Sequence, residues 1–406
     1  MNRHFFIYGS RFIIFSVFLL LVSCLFCYYI DPFSVYGRVY MKNDVAVNSP
    51  GFTKQLRMGK AIGIMQHKPE VLIMGSSRSA FGFSSQVAKD YFPRKKVYNG
   101  SLSSTNIYEI LRYFQHSAAL SPLQQVFIGL DFYQFHGQIS QPKNFREDRL
   151  AVDVNNQPSG NKVNDSLATL LSGDALFYSI EVATGLCNWD DIYLINGFKE
   201  QGDRGGSLHS FIKSEKTYID KTYTIPEFTF KTPDDTKNTF DYFRQIIQLA
   251  HKKKIKLHFF ISPSHARQWE VIGQLGLWDK WEYWKREMLN ITQHEAQPYS
   301  QAAFLIHDFS GYSTYSTEMV PRTDDIQMHW YSDSSHYKQA LGNIILGHIT
   351  NNSSKENFGR ILSTQNINDH LQLIRVGREQ YRRSHKQDID DIKKLIDIPI
   401  PSPILI

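Results

Sequence analysis

Short apolar runs alternate with amphipathic segments along most of the chain. Five runs have the length and composition of buried strands and lie at residues 71–74, 96–98, 126–130, 256–261 and 303–306. Between two of them, Ile107, Ile110 and Phe114 recur at helical spacing, so this segment can place one apolar face against a sheet. Strands that alternate with helices are typical of parallel sheets, because a crossover helix joins consecutive parallel strands. The pattern predicts an α/β fold with a five-stranded parallel sheet.

The alternation is interrupted between about residues 135 and 236, where the sequence is polar and rich in Gly and Asn, as at residues 202–206. A structureless loop of that length is improbable in a compact domain. We therefore interpret this stretch as an insertion and expect helices within it, around residues 167–186. A basic amphipathic segment at residues 370–385 leads to a Pro-rich end. It predicts a C-terminal helical tail over residues 351–406, which lies either on the domain or on the membrane surface.

An uncharged apolar run extends over residues 12–30. As a helix it would rise about 28 Å, which matches the hydrocarbon core of a bilayer. Arg3 and Arg11 precede it, and the positive-inside tendency places residues 1–11 in the cytoplasm and everything after residue 31 outside. The run predicts a single-pass transmembrane anchor and a large domain, residues 31–350, on the extracytoplasmic (periplasmic) side of the cell membrane.

A cleaved signal peptide is the alternative interpretation of the same run. The four residues 21–24, Leu-Val-Ser-Cys, resemble a lipoprotein cleavage site. The apolar run continues beyond Cys24, however, and no Ala-x-Ala site follows it. These features favour an uncleaved anchor.

Composition and charge limit the class of protein and the kinds of partner that it can bind. Hydrophobic residues make up 42% of the chain and charged residues 21%, which is typical of a globular protein with one anchor and excludes a polytopic or disordered chain. The net charge of +6 is spread along the sequence, so we expect no nucleic acid; an anionic polymer or lipid headgroups fit better. Two of the three cysteines, Cys24 and Cys27, lie in the anchor and leave Cys187 alone. No disulfide framework or cysteine zinc site can be built, and we expect neither metal nor cofactor.

Hydroxyl side chains follow the first predicted strand. The run at residues 71–74 is followed by Gly75, Ser76 and Ser77, where a helix could begin. In doubly wound sheets ligands bind beyond the carboxyl ends of the strands, and the free N–H groups of a helix start could stabilise an oxyanion there. Helix capping by serine is the alternative explanation of these residues.

A second polar pair lies near the C-terminal end of the domain. Asp333 and His336 are three residues apart and precede an apolar helical pattern at residues 337–349. On a loop that enters a helix, both side chains can point into one site, with the histidine as base and the aspartate orienting its other ring nitrogen. Together with a serine after the first strand, Ser76 or Ser77, the pair predicts a catalytic triad that includes His336 and Asp333, with all these loops at one end of the sheet.

The order of these motifs resembles the SGNH or GDSL-like hydrolase superfamily. Gly-Ser-Ser-Arg stands where that family has Gly-Asp-Ser-Leu, and alignment of the glycines makes Ser77 the nucleophile. Ser76 then occupies the position of the family's aspartate and remains an alternative nucleophile. The resemblance extends over about residues 71–348, with the insertion outside it. It implies a three-layer α/β/α sandwich of the flavodoxin-like, SGNH type.

The resemblance also implies an oxyanion hole, formed by Ser77, Ser104 and the position of Asp131. Residues 97–104 resemble the family's second block, whose closing glycine is Ser104 here, and a backbone N–H survives that change. Residues 129–132 resemble the third block, with Asp131 in place of an asparagine that binds the oxyanion. An ionised carboxylate would repel the oxyanion. Asp131 is therefore protonated, turned toward another partner, or a sign of altered chemistry.

Within the superfamily, four motifs and the N-terminal anchor look most like the DltD-like branch: LIMGSSRS, IGLDF, FISPSHA and YSDSSHY. That resemblance implies transfer of a small acyl group to a cell-envelope polymer, such as a polysaccharide, beside a membrane-bound O-acyltransferase. Ser76, Arg78 and His265 are candidate substrate-binding residues, although a structural role for His265 is the alternative. Two other functions remain open. One is an esterase with the same triad and water as acceptor, and the other is a non-catalytic partner that binds the polymer or the membrane acyltransferase.

Overall fold

Six strands form one mostly parallel sheet in the computed structural model, which describes residues 3–159, 165–190, 192–199, 205–224, 226–323, 326–351 and 358–397. The first two residues of the predicted cytoplasmic segment, most of the Gly-rich stretch at residues 202–206, residues 352–357 of the tail and its Pro-rich end lie outside the described residues. A small antiparallel hairpin, β1 (Tyr40–Lys42) and β2 (Val45–Val47), precedes the main sheet.

The six strands of the main sheet are β3 (Val71–Met74), β4 (Val97–Asn99), β5 (Gln125–Leu130), β6 (Lys256–Ile261), β7 (Ile306–Asp308) and β8 (Arg360–Ile361). Their order is β4-β3-β5-β6-β7-β8, and all neighbours are parallel except β7 and β8. The chain therefore crosses over in both directions from β3, as in doubly wound sheets. The carboxyl ends of the five parallel strands meet at one edge, where the predicted site residues follow them.

Two details of the predicted sheet were wrong. The sheet has six strands and is not wholly parallel, because β8 adds an antiparallel edge of two residues, too short to leave a periodic signal in the sequence. The fifth predicted strand, at residues 303–306, begins at Ile306 and continues through His307 and Asp308. The sequence pattern missed this part of the strand, because His307 and Asp308 are polar although both are buried in the structure.

Fourteen helices occur in the described residues. They are α1 (Arg3–Ile30), α2 (Leu56–His67), α3 (Ser77–Gly82), α4 (Ser85–Tyr91), α5 (Ile107–Leu120), α6 (Asp165–Leu170), α7 (Gly173–Thr184), α8 (Leu208–Tyr218), α9 (Thr239–Lys253), α10 (Ala266–Gln274), α11 (Trp278–Ala296), α12 (Gln339–Asn351), α13 (Ile367–Ser384) and α14 (Lys386–Asp397).

Helices cover both faces of the sheet. On β3, Leu72 and Met74 pack into a core shared with α2, α5 and α9, whereas Val71 and Ile73 pack into a second core shared with α4 and α12. Successive side chains of a strand point to opposite faces, so the two cores lie on opposite sides of the sheet. The all-buried pattern of β3 is what a parallel strand with two covered faces requires.

The insertion and the tail both belong to this domain. Helices α6 and α7 lie where helices were expected in the insertion, and α8 follows them. In the tail, β8 joins the sheet, and Ile367, Leu371 and Ile392 are buried in the main core. Of the two locations considered for the tail, its described part therefore lies on the domain.

Helix α1 stands apart from the sheet. Its segment Phe6–Ile30 is long and apolar enough to cross a membrane, and most of its side chains are exposed. At 1.5 Å per residue the segment extends about 37 Å, somewhat more than the hydrocarbon core of a bilayer. That it spans a membrane, and in which orientation, stays a prediction.

Candidate active site

A tight turn joins β3 to α3 and presents Ser77. Gly75 in this turn has φ of 145°, and a β-carbon there would lie 2.4 Å from Ser79 Oγ. Gly129 on β5 is equally close to the same oxygen, at 2.3 Å. Only glycine at these positions lets α3 begin directly against the two strands. Ser77, the first residue of α3, is partly exposed, although its neighbours Ser76 and Arg78 are buried.

The structure brings the three predicted triad residues together. Ser77 Oγ lies 2.8 Å from His336 Nε2, and His336 Nδ1 lies 2.8 Å from Asp333 Oδ2. Because Nδ1 donates to the carboxylate, the neutral ring keeps Nε2 as an acceptor for the hydroxyl proton of Ser77. About a fifth of the His336 and Asp333 side chains is exposed. The geometry is that of a nucleophile, a general base and an orienting carboxylate.

Backbone hydrogen bonds join the two ends of the loop that carries Asp333 and His336. An antiparallel bridge joins Tyr331 to Tyr337, and the N–H of Ser332 donates to the carbonyl of His336 at 2.9 Å. The ring of Phe81 on α3 contacts the edge of the His336 ring, with 5.2 Å between centroids. These contacts fix the orientation of the imidazole relative to Ser77.

Asp333 is held in its ionised form. Its Oδ1 accepts hydrogen bonds from the backbone N–H groups of Ser335 at 2.8 Å and His336 at 3.0 Å. Burial opposes ionisation, but the charge and hydrogen bond of His336 and the two backbone donors outweigh it and hold the pKa of Asp333 well below its usual range. An ionised Asp333 stabilises the imidazolium that forms when His336 takes a proton.

Asp131 does not face an oxyanion. Its Oδ1 accepts from Arg78 Nη1 at 2.8 Å, and its Oδ2 accepts from Ser76 Oγ at 2.6 Å. Of the three possibilities weighed for Asp131, it is turned toward another partner. The expected oxyanion-hole role at this position is therefore wrong, because both carboxylate oxygens are occupied in a buried network.

The same network corrects the expectations for Arg78 and Ser76. Arg78 is fully buried and lies between the rings of Tyr133 and Tyr218, each 5.5 Å from the guanidinium carbon. Burial opposes its charge, but Asp131 outweighs burial and raises the pKa of Arg78 well above its usual value. Ser76 is also fully buried and caps α3 by accepting from the N–H of Arg78 at 3.1 Å. Both side chains are buried and occupied in this network, so the geometry gives no support to a substrate-binding role for either or to Ser76 as the nucleophile.

Ser104 lies in the loop that follows β4. The loop is tied to the Ser77 turn, since the N–H of Gly100 donates to Ile73 at 2.8 Å and the N–H of Leu102 donates to Gly75 at 3.0 Å. Ser104 itself is exposed and has φ of 53°, the left-handed region that favours glycine. Glycine is the residue that the SGNH resemblance would place here.

His265 is not positioned to contact a substrate. It is fully buried at the start of α10, where Nδ1 accepts from the N–H of Arg267 at 3.2 Å and Nε2 donates to the carbonyl of Glu318 at 2.7 Å. Burial lowers its pKa to about 4, so the ring is neutral at physiological pH. Burial and these two backbone contacts favour the structural alternative for His265.

Sequence reasoning missed the contribution of α8, which lies in the insertion. Ser214 Oγ donates to Asp333 Oδ1 at 3.2 Å, and one turn later Tyr218 OH accepts from Arg78 at 3.2 Å. A buried ion pair between Glu215 and Arg267, with 2.6 Å between Oε1 and Nε, holds α8 against α10. The sequence shows only that Ser214 and Tyr218 lie four residues apart and so share a helix face. It does not show that this face contacts the active site.

Among the residues that the structure describes, no group of three or more His, Cys, Asp or Glu side chains is arranged to hold a metal ion. Comparison with models of known protein families finds no match, and a search of curated proteins finds no significantly similar sequence.

Proposed function

We propose that this protein is a membrane-anchored serine enzyme of the SGNH type that transfers a small acyl group through an acyl-Ser77 intermediate. The observation that supports this function is the continuous hydrogen-bonded chain from Ser77 Oγ through His336 to Asp333, with 2.8 Å at each step. A serine that only caps a helix has no need of a histidine base oriented by a charged carboxylate.

The first half-reaction forms the acyl-enzyme. Ser77 Oγ attacks the carbonyl carbon of the acyl donor while His336 Nε2 takes the hydroxyl proton, and Asp333 stabilises the resulting imidazolium. The tetrahedral intermediate collapses when the bond to the leaving group breaks, and His336 returns the proton to that group. In the second half-reaction an acceptor hydroxyl loses its proton to His336 Nε2 and attacks the acyl carbon. The second tetrahedral intermediate collapses when the bond between that carbon and Ser77 Oγ breaks, and His336 returns the proton to Ser77 Oγ.

Backbone groups would stabilise the oxyanion. The N–H of Ser77 belongs to the first turn of α3 and has no carbonyl four residues earlier within the helix, and the N–H of Ser104 is the second donor that the resemblance implies. Pairing of Asp131 with Arg78 keeps its charge engaged away from this position, so the main sequence argument for a non-catalytic role is weakened. The third donor of the resembled family, an asparagine amide, has no counterpart here.

The fold supports the same family. The nucleophile candidate follows the first parallel strand, Ser104 the second and Asp131 the third, and His336 precedes a late helix. This order of residues, the mostly parallel sheet and the apolar helix α1 agree with the DltD-like resemblance. By that resemblance the acceptor is a hydroxyl of a cell-envelope polymer outside the membrane, and a membrane-bound O-acyltransferase is the partner.

A carbohydrate esterase is the second candidate function. It uses the same triad, and the exposure of Ser77 and His336 allows water to reach the acyl-enzyme. Site shape and water exclusion decide between a hydroxyl and water as acceptor. The two functions differ in the sign of their effect on the polymer, because loss of a transferase lowers its acyl content and loss of an esterase raises it.

The test measures acyl content of the envelope polymer in cells that carry Ser77→Ala in place of the native chain. For a transferase, acylation should fall at least about a thousandfold where no second enzyme contributes. Ser84→Ala is the matched control, because Ser84 precedes a nearby helix and its side chain makes no capping bond. Normal acylation by well-expressed Ser77→Ala protein would overturn the catalytic function and leave the non-catalytic partner as the explanation.

A further inference from the structure

Helices α6 and α7 form a short helical hairpin, joined by Leu171 and Ser172, that exposes large apolar side chains. The exposed residues are Leu167 (53%), Leu171 (54%), Phe177 (57%), Ile180 (48%) and Leu186 (78%), the last just beyond α7. Phe177, Ile180 and Thr184 recur along one face of α7. Clusters of this kind on a soluble surface mark a site of contact with another apolar phase.

The hairpin packs against α1 itself. Both α6 and α7 contact α1, and Cys24 Sγ on α1 lies 3.5 Å from the carbonyl oxygen of Leu170 at the end of α6. Ala175 of α7 is buried in a small core with Cys27 of α1 and Met58 of α2. The hairpin therefore connects the apolar helix to the α/β domain as one packed unit.

The contact between Cys24 and the end of α6 shows how deep the hairpin lies relative to the bilayer. Cys24 is six residues before Ile30, so it lies about 9 Å from the end of α1 along the helix axis. If a segment of about 37 Å is centred on a hydrocarbon core of about 30 Å, Cys24 lies some 5 Å inside that core. At least the end of α6 and the neighbouring part of α7 then lie at the level of the bilayer boundary, where no bulk water covers apolar side chains.

Aromatic residues mark the same level. Tyr28 and Tyr29 near the end of α1 are more than half exposed, Tyr36 packs against Tyr28 at 4.9 Å, and Tyr40 packs against Trp189 at 6.0 Å. Tyrosine and tryptophan are enriched at membrane interfaces, because an apolar ring and a polar edge suit the headgroup region. Trp189 follows α7 in the chain, so the segment after the hairpin returns to this aromatic belt.

The polar groups of the hairpin fit an interfacial position. Thr184 Oγ1 donates to the carbonyl of Ile180 at 2.7 Å, and Ser172 Oγ accepts from the N–H of Ala175 at 3.0 Å, so these hydroxyls are satisfied within the hairpin. Asp174, in the first turn of α7, is exposed, and Glu181 in its second half is half-buried. A helix with an apolar face and acidic side chains beside it lies in the plane of the interface and does not span.

We propose that the α6–α7 hairpin is embedded in the lipid leaflet on the Ile30 side of α1, where the boundary between headgroups and acyl chains covers its exposed apolar face. The α/β domain is then held to the membrane at two adjacent points, the span and the hairpin. This arrangement limits rotation of the domain about α1 and fixes the height of its active-site edge above the bilayer. It is independent of the reaction that the triad performs.

The test is photo-crosslinking of the full-length protein in vesicles of phosphatidylethanolamine and phosphatidylglycerol. A benzophenone amino acid replaces Phe177 in one variant, Phe18 of α1 as a lipid-facing reference in a second, and Met319 as a control in a third. Met319 is 77% exposed and lies in the loop after β7. Crosslinking to lipid at position 177 should be at least about tenfold above position 319 and comparable to position 18. A fourth variant with the probe at Ile180 should repeat the result.

Lipid labelling at position 177 no higher than at position 319, with position 18 labelled, would overturn the proposal. Crosslinking of position 177 to a second copy of the chain, or in native membranes to another polypeptide and not to lipid, would also overturn it. Neither result bears on the acyl-transfer function, because the triad can work whichever partner covers this surface.

Discussion

Gly82 on α3 and Gly342 on α12 lie so close that a β-carbon at position 342 would stand 1.7 Å from the carbonyl oxygen of Gly82. The two helices begin near the two halves of the triad, since α3 starts at Ser77 and α12 follows the loop of His336. Because neither glycine has a side chain, the backbones of α3 and α12 touch at this crossing. This close approach brings His336 within hydrogen-bond distance of Ser77. The glycine pair therefore sets the geometry of the site from a distance.

Gly342→Ala should separate the two helices and lengthen the hydrogen bond between Ser77 and His336. We expect a loss of about 100-fold in the rate at which Ser77 reacts, because a displacement of about 1 Å has an effect of this size. Gly347→Ala on the same helix is the matched control, since its β-carbon would meet only the far end of the Tyr91 side chain. Equal reactivity of the two variants, with both folded by circular dichroism, would show that the crossing does not position the triad.

Asp131→Asn should destabilise the protein although it restores the asparagine of the resembled family. Arg78 would be left buried without its counter-ion, and removal of one partner of a buried pair costs about 3–5 kcal/mol in the free energy of unfolding. Ser76→Ala leaves the ion pair in place but removes a hydrogen bond to the same carboxylate and the cap of α3, and it should cost about 1–3 kcal/mol. Denaturant unfolding of both variants measures the difference. An Asp131→Asn protein as stable as the native chain would contradict the role given to this ion pair.

Stability should fall with pH below neutrality in part because of His265. Its folded pKa is about 4, below an unfolded value of about 6.5, so the unfolded chain binds more protons between these pH values. The free energy of unfolding therefore rises with pH across this window, by at most about 1.4 kcal/mol per pH unit for one group. His265→Asn should reduce that slope, as measured by denaturant unfolding at several pH values between these limits.

The same variant separates a structural histidine from one that contacts substrate. His265→Asn should leave the reactivity of Ser77 near the native value at pH 7, because the ring is buried and both of its nitrogens are occupied by backbone partners. A large loss of reactivity in a folded His265→Asn protein, with an unchanged pH slope of stability, would return His265 to the substrate-binding residues.

The residues of the triad could be predicted because each signal is local. An apolar run followed by Gly-Ser-Ser and a pair spaced as Asp-x-x-His identify a strand end and a helix start without knowledge of the fold. The parallel strands of the main sheet followed from the same alternation, whereas helices on both faces were implied by the resemblance. The hairpin of β1 and β2, the two-residue strand β8 and the polar end of β7 were not predicted.

The surroundings of the triad could not be predicted, because they depend on contacts between distant residues. Arg78 and Asp131 are separated by 53 residues, and nothing at either position indicates that they pair. Ser214 and Tyr218 lie in an insertion whose helices reveal their neighbours only in three dimensions. The roles expected of Asp131, Arg78 and His265 failed for this reason, since a sequence shows which groups are chemically capable and not which are already occupied.

The central claim, that Ser77 is a nucleophile activated by His336, is tested most directly by reaction of the purified full-length protein with a fluorophosphonate. Peptide mass spectrometry should locate the adduct on Ser77 alone. His336→Ala should slow the labelling by at least about a thousandfold, and Ser76→Ala should retain much of the native rate if the protein stays folded. An adduct on another serine, or equal labelling of native and Ser77→Ala protein, would contradict the account.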